Sequence, residues 1–175
     1  MVGNERAGLE GGGGGAGDPG LTIQEARSHF GAWCIVSSPL ILSHDVNNAT
    51  IMDAIWPIIA NKEAIAVNQA WAGFAGSVFQ QAAARVQLGG EAQVGVAAWQ
   101  FWYKPVGGGR TAVLMMNHAA AAATLTVALA SVPGVSGSSW ALRDIWAHKD
   151  LGVVTSNYTV TLDSHDCAFI VVTPQ

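Results

Sequence analysis

Between Ile23 and Cys34 apolar residues recur at the three-and-four spacing of a helix, placing Ile23, Ala26, Phe30, Trp33 and Cys34 on one face. Thr22 precedes that face and Glu25 follows three residues later. This is a capping box, in which each side chain satisfies a backbone N–H of the first turn. Pro39 cannot continue the helix and pushes Ser38 toward extended geometry. Leu40-Ile41-Leu42 is then wholly apolar, the pattern of a short strand buried on both faces as in a parallel sheet, and it runs into polar Ser43-His44-Asp45. Asn48 is placed to cap a second helix carrying Ile51, Met52 and Ile55, which Pro57 is expected to interrupt. Asn61 is placed to cap a last short helix holding Ile65 and Val67.

From about Ser77 the pattern changes to short β-like runs: 85–88, 97–104, 111–117, 124–129, 140–146, 158–162 and 168–173. Gly89-Gly90, Gly107-Gly108-Gly109, Pro133-Gly134 and Asp163-Ser164 punctuate them as turns. The Ala119–Ala123 run is too short for a helix and sits between two strand candidates, so it is read as a loop. The expected architecture has two parts. Residues 21–72 form an α/β barrel remnant, with a helix, the last parallel strand and closing helices. Residues 77–175 form an all-β antiparallel sandwich. Residues 1–20 are a flexible glycine-rich linker; their formal G-x-G-x-x-G (Gly12, Gly14, Gly17) follows no apolar strand and is rejected as a nucleotide site.

Composition narrows the partners. Half of the 175 residues are hydrophobic and 11% are charged, enough for a core. A net charge of −4 with 8 Lys+Arg and no basic run argues against nucleic acid. Glu5, Arg6, Glu10 and Asp18 stand where a secretory leader needs an apolar stretch, and no run is long enough for a membrane span. Cys34 and Cys167 read as two free buried thiols rather than a disulfide. Asn48-Ala49-Thr50 and Asn157-Tyr158-Thr159 are candidate N-glycosylation sequons.

Several segments, in order, resemble the α-galactosidases of glycoside hydrolase family 27. Thr22 to Asp45 resembles a capped helix with an Arg-x-His-Phe-like core, then Ser-Pro-Leu and a strand ending in Asp. Asn61-Lys62-Glu63-Ala64-Ile65-Ala66-Val67-Asn68-Gln69 is similar to the family's Asn-Lys-Glu-x-Ile-Ala-x-Asn-Gln segment, although Ala70-Trp71 replaces its common Asp-Pro. Arg143-Asp144-Ile145-Trp146, Lys149-Asp150-Leu151-Gly152, Ser164-His165 and Phe169 to Pro174 resemble its sandwich segments. Met1-Val2-Gly3-Asn4 resembles the end of a seventh-strand loop, which would make Met1 internal to a longer protein.

The resemblance implies a retaining glycosidase that cleaves terminal α-linked galactose without a cofactor, with α-N-acetylgalactosaminide as the competing substrate. It also implies a secreted, lysosomal or vacuolar location and leaves a homodimer open. A retaining mechanism needs two carboxylates about 5–5.5 Å apart. Of the twelve acidic residues only Asp45 is placed at a barrel top, alone, so the catalytic aspartates are expected upstream of residue 1 and the chain alone is expected to be inactive. Met1, His44 and Asp45 are the candidate substrate-lining residues. The five histidines lack ligand-like spacing, so no metal site is expected, and His29 is read as a hydrogen-bonded structural residue. Trp99, Phe101 and Tyr103 alternate on one strand face with Trp102 opposite. That pattern is either core or the aromatic platform of a non-catalytic carbohydrate- or partner-binding sandwich. The remnant, with one strand and no neighbour for it, is expected to pack poorly while the sandwich folds alone.

Overall fold

A computed structural model describes residues 21–42, 45–88 and 95–175. The linker reading of 1–20, with Met1, and the candidate His44 therefore lie outside the described residues. Three helices come first: α1 (Ile23–Ile35), α2 (Ala49–Ile59) and α3 (Lys62–Gln69). Each begins where its cap is written. Thr22 and Glu25 form the capping box, Asn48 accepts from Ile51 N–H, and Asn61 accepts from Glu63 and Ala64 N–H. α2 does not stop at Pro57 but runs through it to Ile59. The hydrogen bond that proline removes would go to the Asp53 carbonyl, on an exposed residue of a helix already ending, where water can replace it.

Among the described residues ten strands follow: β1 (Ser77–Gln81), β2 (Arg85–Gln87), β3 (Gly95–Ala97), β4 (Trp99–Gly107), β5 (Arg110–Asn117), β6 (Ala123–Ala128), β7 (Trp140–Asp144), β8 (Lys149–Val154), β9 (Asn157–Leu162) and β10 (Cys167–Pro174). A six-stranded antiparallel sheet has the order β1-β4-β5-β10-β7-β8, and β2–β3 and β6–β9 form two-stranded ribbons. The run expected at 97–104 breaks at Ala98, so its first residue belongs to β3 and the rest to β4. β1 and β8 are strands that apolar periodicity did not mark.

Both faces of the large sheet are covered. On β10, Ala168, Ile170 and Val172 face a core shared with Leu125, Val127 and Leu162 of the β6–β9 ribbon. Cys167 and Phe169 alternate onto the other face, with Ala112 and Leu114 of β5, against Ala26, Phe30, Cys34 and Ile35 of α1 and Ala64 and Val67 of α3. Central strands β5 and β10 are thus the doubly buried apolar runs of this chain. The Leu40-Ile41-Leu42 run is not: Ile41 is 65% and Leu42 39% exposed, and a single bridge residue at Leu42 stands in place of a strand. A doubly apolar strand needs neighbours on both edges, and among the described residues none flanks it.

The helices are not left without a partner, contrary to the expectation that they would pack poorly. α1 lies on the sheet at Gly31, where an added Cβ would come within 2.9 Å of Leu114 Cδ1. Where the chain enters β1, Gly76 N–H donates to Ile35 O at 2.9 Å. A Cβ on Gly76 would lie 2.6 Å from both Ile35 O and Tyr103 O, so only glycine fits that seam. Among the described residues no helix is long and apolar enough to cross a membrane.

Candidate functional site

Polar residues gather where the helices meet the sheet, and one group of them holds backbone. Asn61 donates from Nδ2 to Ile145 O at 2.9 Å while its Oδ1 caps α3. Asn68 donates to Trp33 O and Ser38 O, fastening the end of α1 to the end of α3. Lys104, on β4 and fully buried, points its ammonium at Cys34 O, Val67 O and Asn68 O. Those carbonyls lie in the last turns of α1 and α3, where intrahelical donors run out and the helix dipole favours a cation. Burial pushes the Lys104 pKa down, and the neighbouring Cys34 opposes that shift.

Two ion-pair groups close the same seam. Arg27 of α1 pairs with Asp166, beside a hydrogen bond from Ser28 Oγ to His165 O at 2.7 Å. Arg143 of β7 grips Glu63 of α3 through Nε (3.0 Å) and Nη2 (2.8 Å) and reaches Asp150 at 3.1 Å, while His148 Nδ1 lies 2.8 Å from Glu63. Hydrogen bonding from Arg143 lowers the Glu63 pKa to about 2; burial opposes it and His148 adds to it. Glu63 is therefore an ionised strut and cannot serve as a general acid near neutrality.

This arrangement sets an acid response. A carboxylate with a folded pKa of about 2, against an ordinary 4.5, contributes stability that is complete above the ordinary value. The contribution is lost as pH falls from about 4.5 to about 2. Because the pair is partly exposed, Glu63→Gln is expected to cost about 0.5–1 kcal/mol near neutral pH. The difference from the parent should vanish at the acid end. Urea midpoints of both proteins across that pH range check this; a constant difference would contradict it.

Several of the other described carboxylates have structural partners. Glu25 is engaged in its capping box, and Asp144 accepts from Ala147 N–H. Asp166 is paired with Arg27, and Asp150 with Arg143. Asp45 is exposed and accepts from Asn47 N–H at 2.9 Å, organising the turn before α2. The carbonyl of Asn48 is spent on its cap, whereas the Asn157 amide is exposed at the start of β9.

Both cysteines are free and buried, and burial pushes each thiol up to about 12, so neither is a nucleophile. His29 is not hydrogen-bonded through Nδ1, which is buried without a partner among the described residues; its ring instead packs edge-on against Trp33 at 5.0 Å. Burial lowers its pKa. Among the described residues no three metal-ligating side chains converge.

The aromatic strand resolves as core. Phe101 is buried between the two sheets, stacked on Trp99 at 4.5 Å, with Tyr103 packed on the same cluster and Trp102 packed against the helix-side core. These rings are not a free platform. Chain-distant partners explain what periodicity alone missed: Arg143 and His148 lie 80 and 85 residues from Glu63, and Lys104 lies 70 from Cys34.

Fold and site together define a helix-capped antiparallel β-sandwich whose described polar residues join helices to sheet. Comparison with known proteins agrees. Residues 96–172 match the alpha galactosidase C-terminal beta sandwich domain. Alpha-galactosidase 3 of Arabidopsis thaliana is 35% identical over 91% of this chain and 34% of its own length. The alpha-galactosidase of Coffea arabica is 32% identical over 91% of the chain and 38% of its length. Among solved structures, alpha-galactosidase I from Mortierella vinacea superposes with a TM-score of 0.71 at 27% identity, covering 91% of this chain and 39% of that one. Together these matches support an α-galactosidase-family C-terminal region. It spans about a third of the length of the curated relatives it matches.

Proposed function

We propose that this chain serves as the C-terminal part of a retaining α-galactosidase that hydrolyses terminal α-linked galactose. In this reading residues 21–72 complete a β/α barrel, 77–175 form the sandwich that braces it, and the two catalytic carboxylates come from earlier barrel strands. One observation carries the reading beyond likeness. Of the seven large hydrophobics left exposed among the described residues, five fall in 21–72: Ile41, Leu42, Val46, Trp56 and Trp71. Apolar side chains exposed there, beside an apolar run that no strand among the described residues flanks, fit a surface that other barrel strands would cover. Asp45 and His44, at the end of that run, would then stand at the barrel's catalytic rim. The galactoside is favoured over the N-acetylgalactosaminide because the curated relatives quoted above carry the α-galactosidase name.

The purified 175-residue chain is expected to leave an aryl α-galactoside intact. A barrel adds about 250 residues, so an antiserum against the sandwich should detect a natural product of roughly 45 kDa that hydrolyses the glycoside with retention. Hydrolysis by the 175-residue chain alone, or a natural product of only 18.1 kDa, would overturn the reading.

A further inference from the structure

On the sheet face away from the helices, the open edge of β1 and the near end of the β6–β9 ribbon enclose a groove of about 430 Å³. That size lies within the roughly 300–1,000 Å³ usual for small-ligand sites. Its lining is Phe79 and Gln80 from β1 and Thr126, Ala128, Ser131 and Asn157 opposite. The β1 wall is shaped by a bulge. Val78 pairs with Trp102 and Gln80 with Phe101, leaving Phe79 as the extra residue. A bulge re-aims side chains, and here Phe79 and Gln80 both come to the ribbon side, Phe79 packing on Phe101 and Tyr103 at 6.3 and 5.8 Å.

The chemistry of the lining is specific in what it omits: it contains no charged or titratable side chain. It offers instead two amides and two hydroxyls beside a half-buried phenyl ring. Among the described residues the Gln80 and Asn157 amides make no side-chain hydrogen bond, so each presents a carbonyl acceptor and an NH₂ donor pair. Ser131 Oγ donates to Ala128 O at 2.7 Å, which leaves its oxygen free to accept. Thr126 Oγ1 shares one hydrogen bond with Thr159 Oγ1 at 2.8 Å and keeps capacity for another. An anion finds no cation here and a cation no carboxylate. A ligand rich in hydroxyls that both donate and accept, with an apolar C–H face for Phe79, satisfies every group present.

We propose that this groove binds a neutral saccharide, the hydroxyls of a pyranose meeting Gln80, Thr126, Ser131 and Asn157 and its C–H face meeting Phe79. The assignment does not depend on the chain's place in a complete hydrolase, because it concerns the sandwich alone and no hydrolysis is needed to see it. The test uses the whole 175-residue chain, ¹⁵N-labelled and made in a host without N-glycosylation so that the Asn157 amide is free. Titration with raffinose at millimolar concentrations should give saturable shifts at the Gln80 and Asn157 side-chain amides and along Thr126 to Ser131. Gln80→Ala and Ser131→Ala remove exposed side chains outside the core. Each should weaken binding roughly threefold to tenfold with the rest of the spectrum unchanged. Galacturonate, in which a carboxylate replaces the primary hydroxyl, should shift these amides less than methyl galactoside does. Absence of saturable shifts, shifts elsewhere on the surface, or the parent's affinity retained in both variants would overturn the proposal. So would a response only to an extended peptide pairing along Ser77 to Gln81.

Discussion

Replacing Phe30 with alanine is expected to cost about 3–5 kcal/mol and to lower the urea midpoints of helix and sheet signals together. Phe30 is 1% exposed and belongs to a cluster that also holds Ile35 of α1, Ala112 and Leu114 of β5 and Phe169 of β10. Truncation leaves a cavity bounded on one side by a helix that Gly31 already brings against Leu114. Neither wall can close in without moving the other. A loss of this size is a large share of the roughly 5–15 kcal/mol that holds a typical domain folded. Far-UV circular dichroism for the helices and amide exchange in β5 and β10 for the sheet would be followed through the same titration. Loss of the helical signal alone, with β5 and β10 unaffected, would show that the two parts fold independently and that the shared core is not cooperative.

The second large effect is expected at Lys104. Lys104→Met keeps most of the side-chain volume but removes the donor that meets Cys34 O, Val67 O and Asn68 O. Hydrogen bonds from a charged donor are each worth about 1.5–3 kcal/mol, and stranding a buried acceptor carries its own desolvation penalty. The variant is therefore expected to lose about 3 kcal/mol, with faster amide exchange in the last turn of α3. Among the described residues the ammonium has no carboxylate partner, and the helix-end carbonyls act on it jointly. If methionine proved as stable as lysine to within about 0.5 kcal/mol, the three carbonyls would be finding other donors and the clasp would carry little weight.

The parts of this fold that could be read from the chain are those fixed by neighbours in sequence. Thr22 with Glu25, Asn48 with Ile51, and Asn61 with Glu63 and Ala64 are all contacts within three residues, so three helix starts are legible. Strands are legible too where glycine marks their turns, at Gly107 to Gly109 between β4 and β5 and at Gly134 and Gly137 between β6 and β7. What fails does so for stated causes. Leu40-Ile41-Leu42 and Ala112 to Met116 have the same apolar texture, and only the presence of flanking strands distinguishes an exposed run from a doubly buried one. β1 hides its alternation behind the bulge at Phe79, and β8 behind Gly152 and mostly exposed positions. Of the candidate site, Asp45 falls in an exposed turn, and the aromatic alternation of β4 marks a core. The residues that join helices to sheet, Lys104 and Arg143 above all, take their partners from distant segments and leave no local pattern.

A β-sandwich is often regarded as a portable part, free to be spliced from one protein to another. The central sheet here resists that use. One of its sides is lined by Leu114, Phe169 and Ala112, which meet α1 and α3 rather than water. A splice at the start of β1 would strip that side bare and deprive Lys104 of every carbonyl it holds. Recombination of this lineage should therefore tolerate breakpoints before Thr22 and select against those between Gln69 and Ser77. The part that should transfer intact is the sandwich with its helices attached.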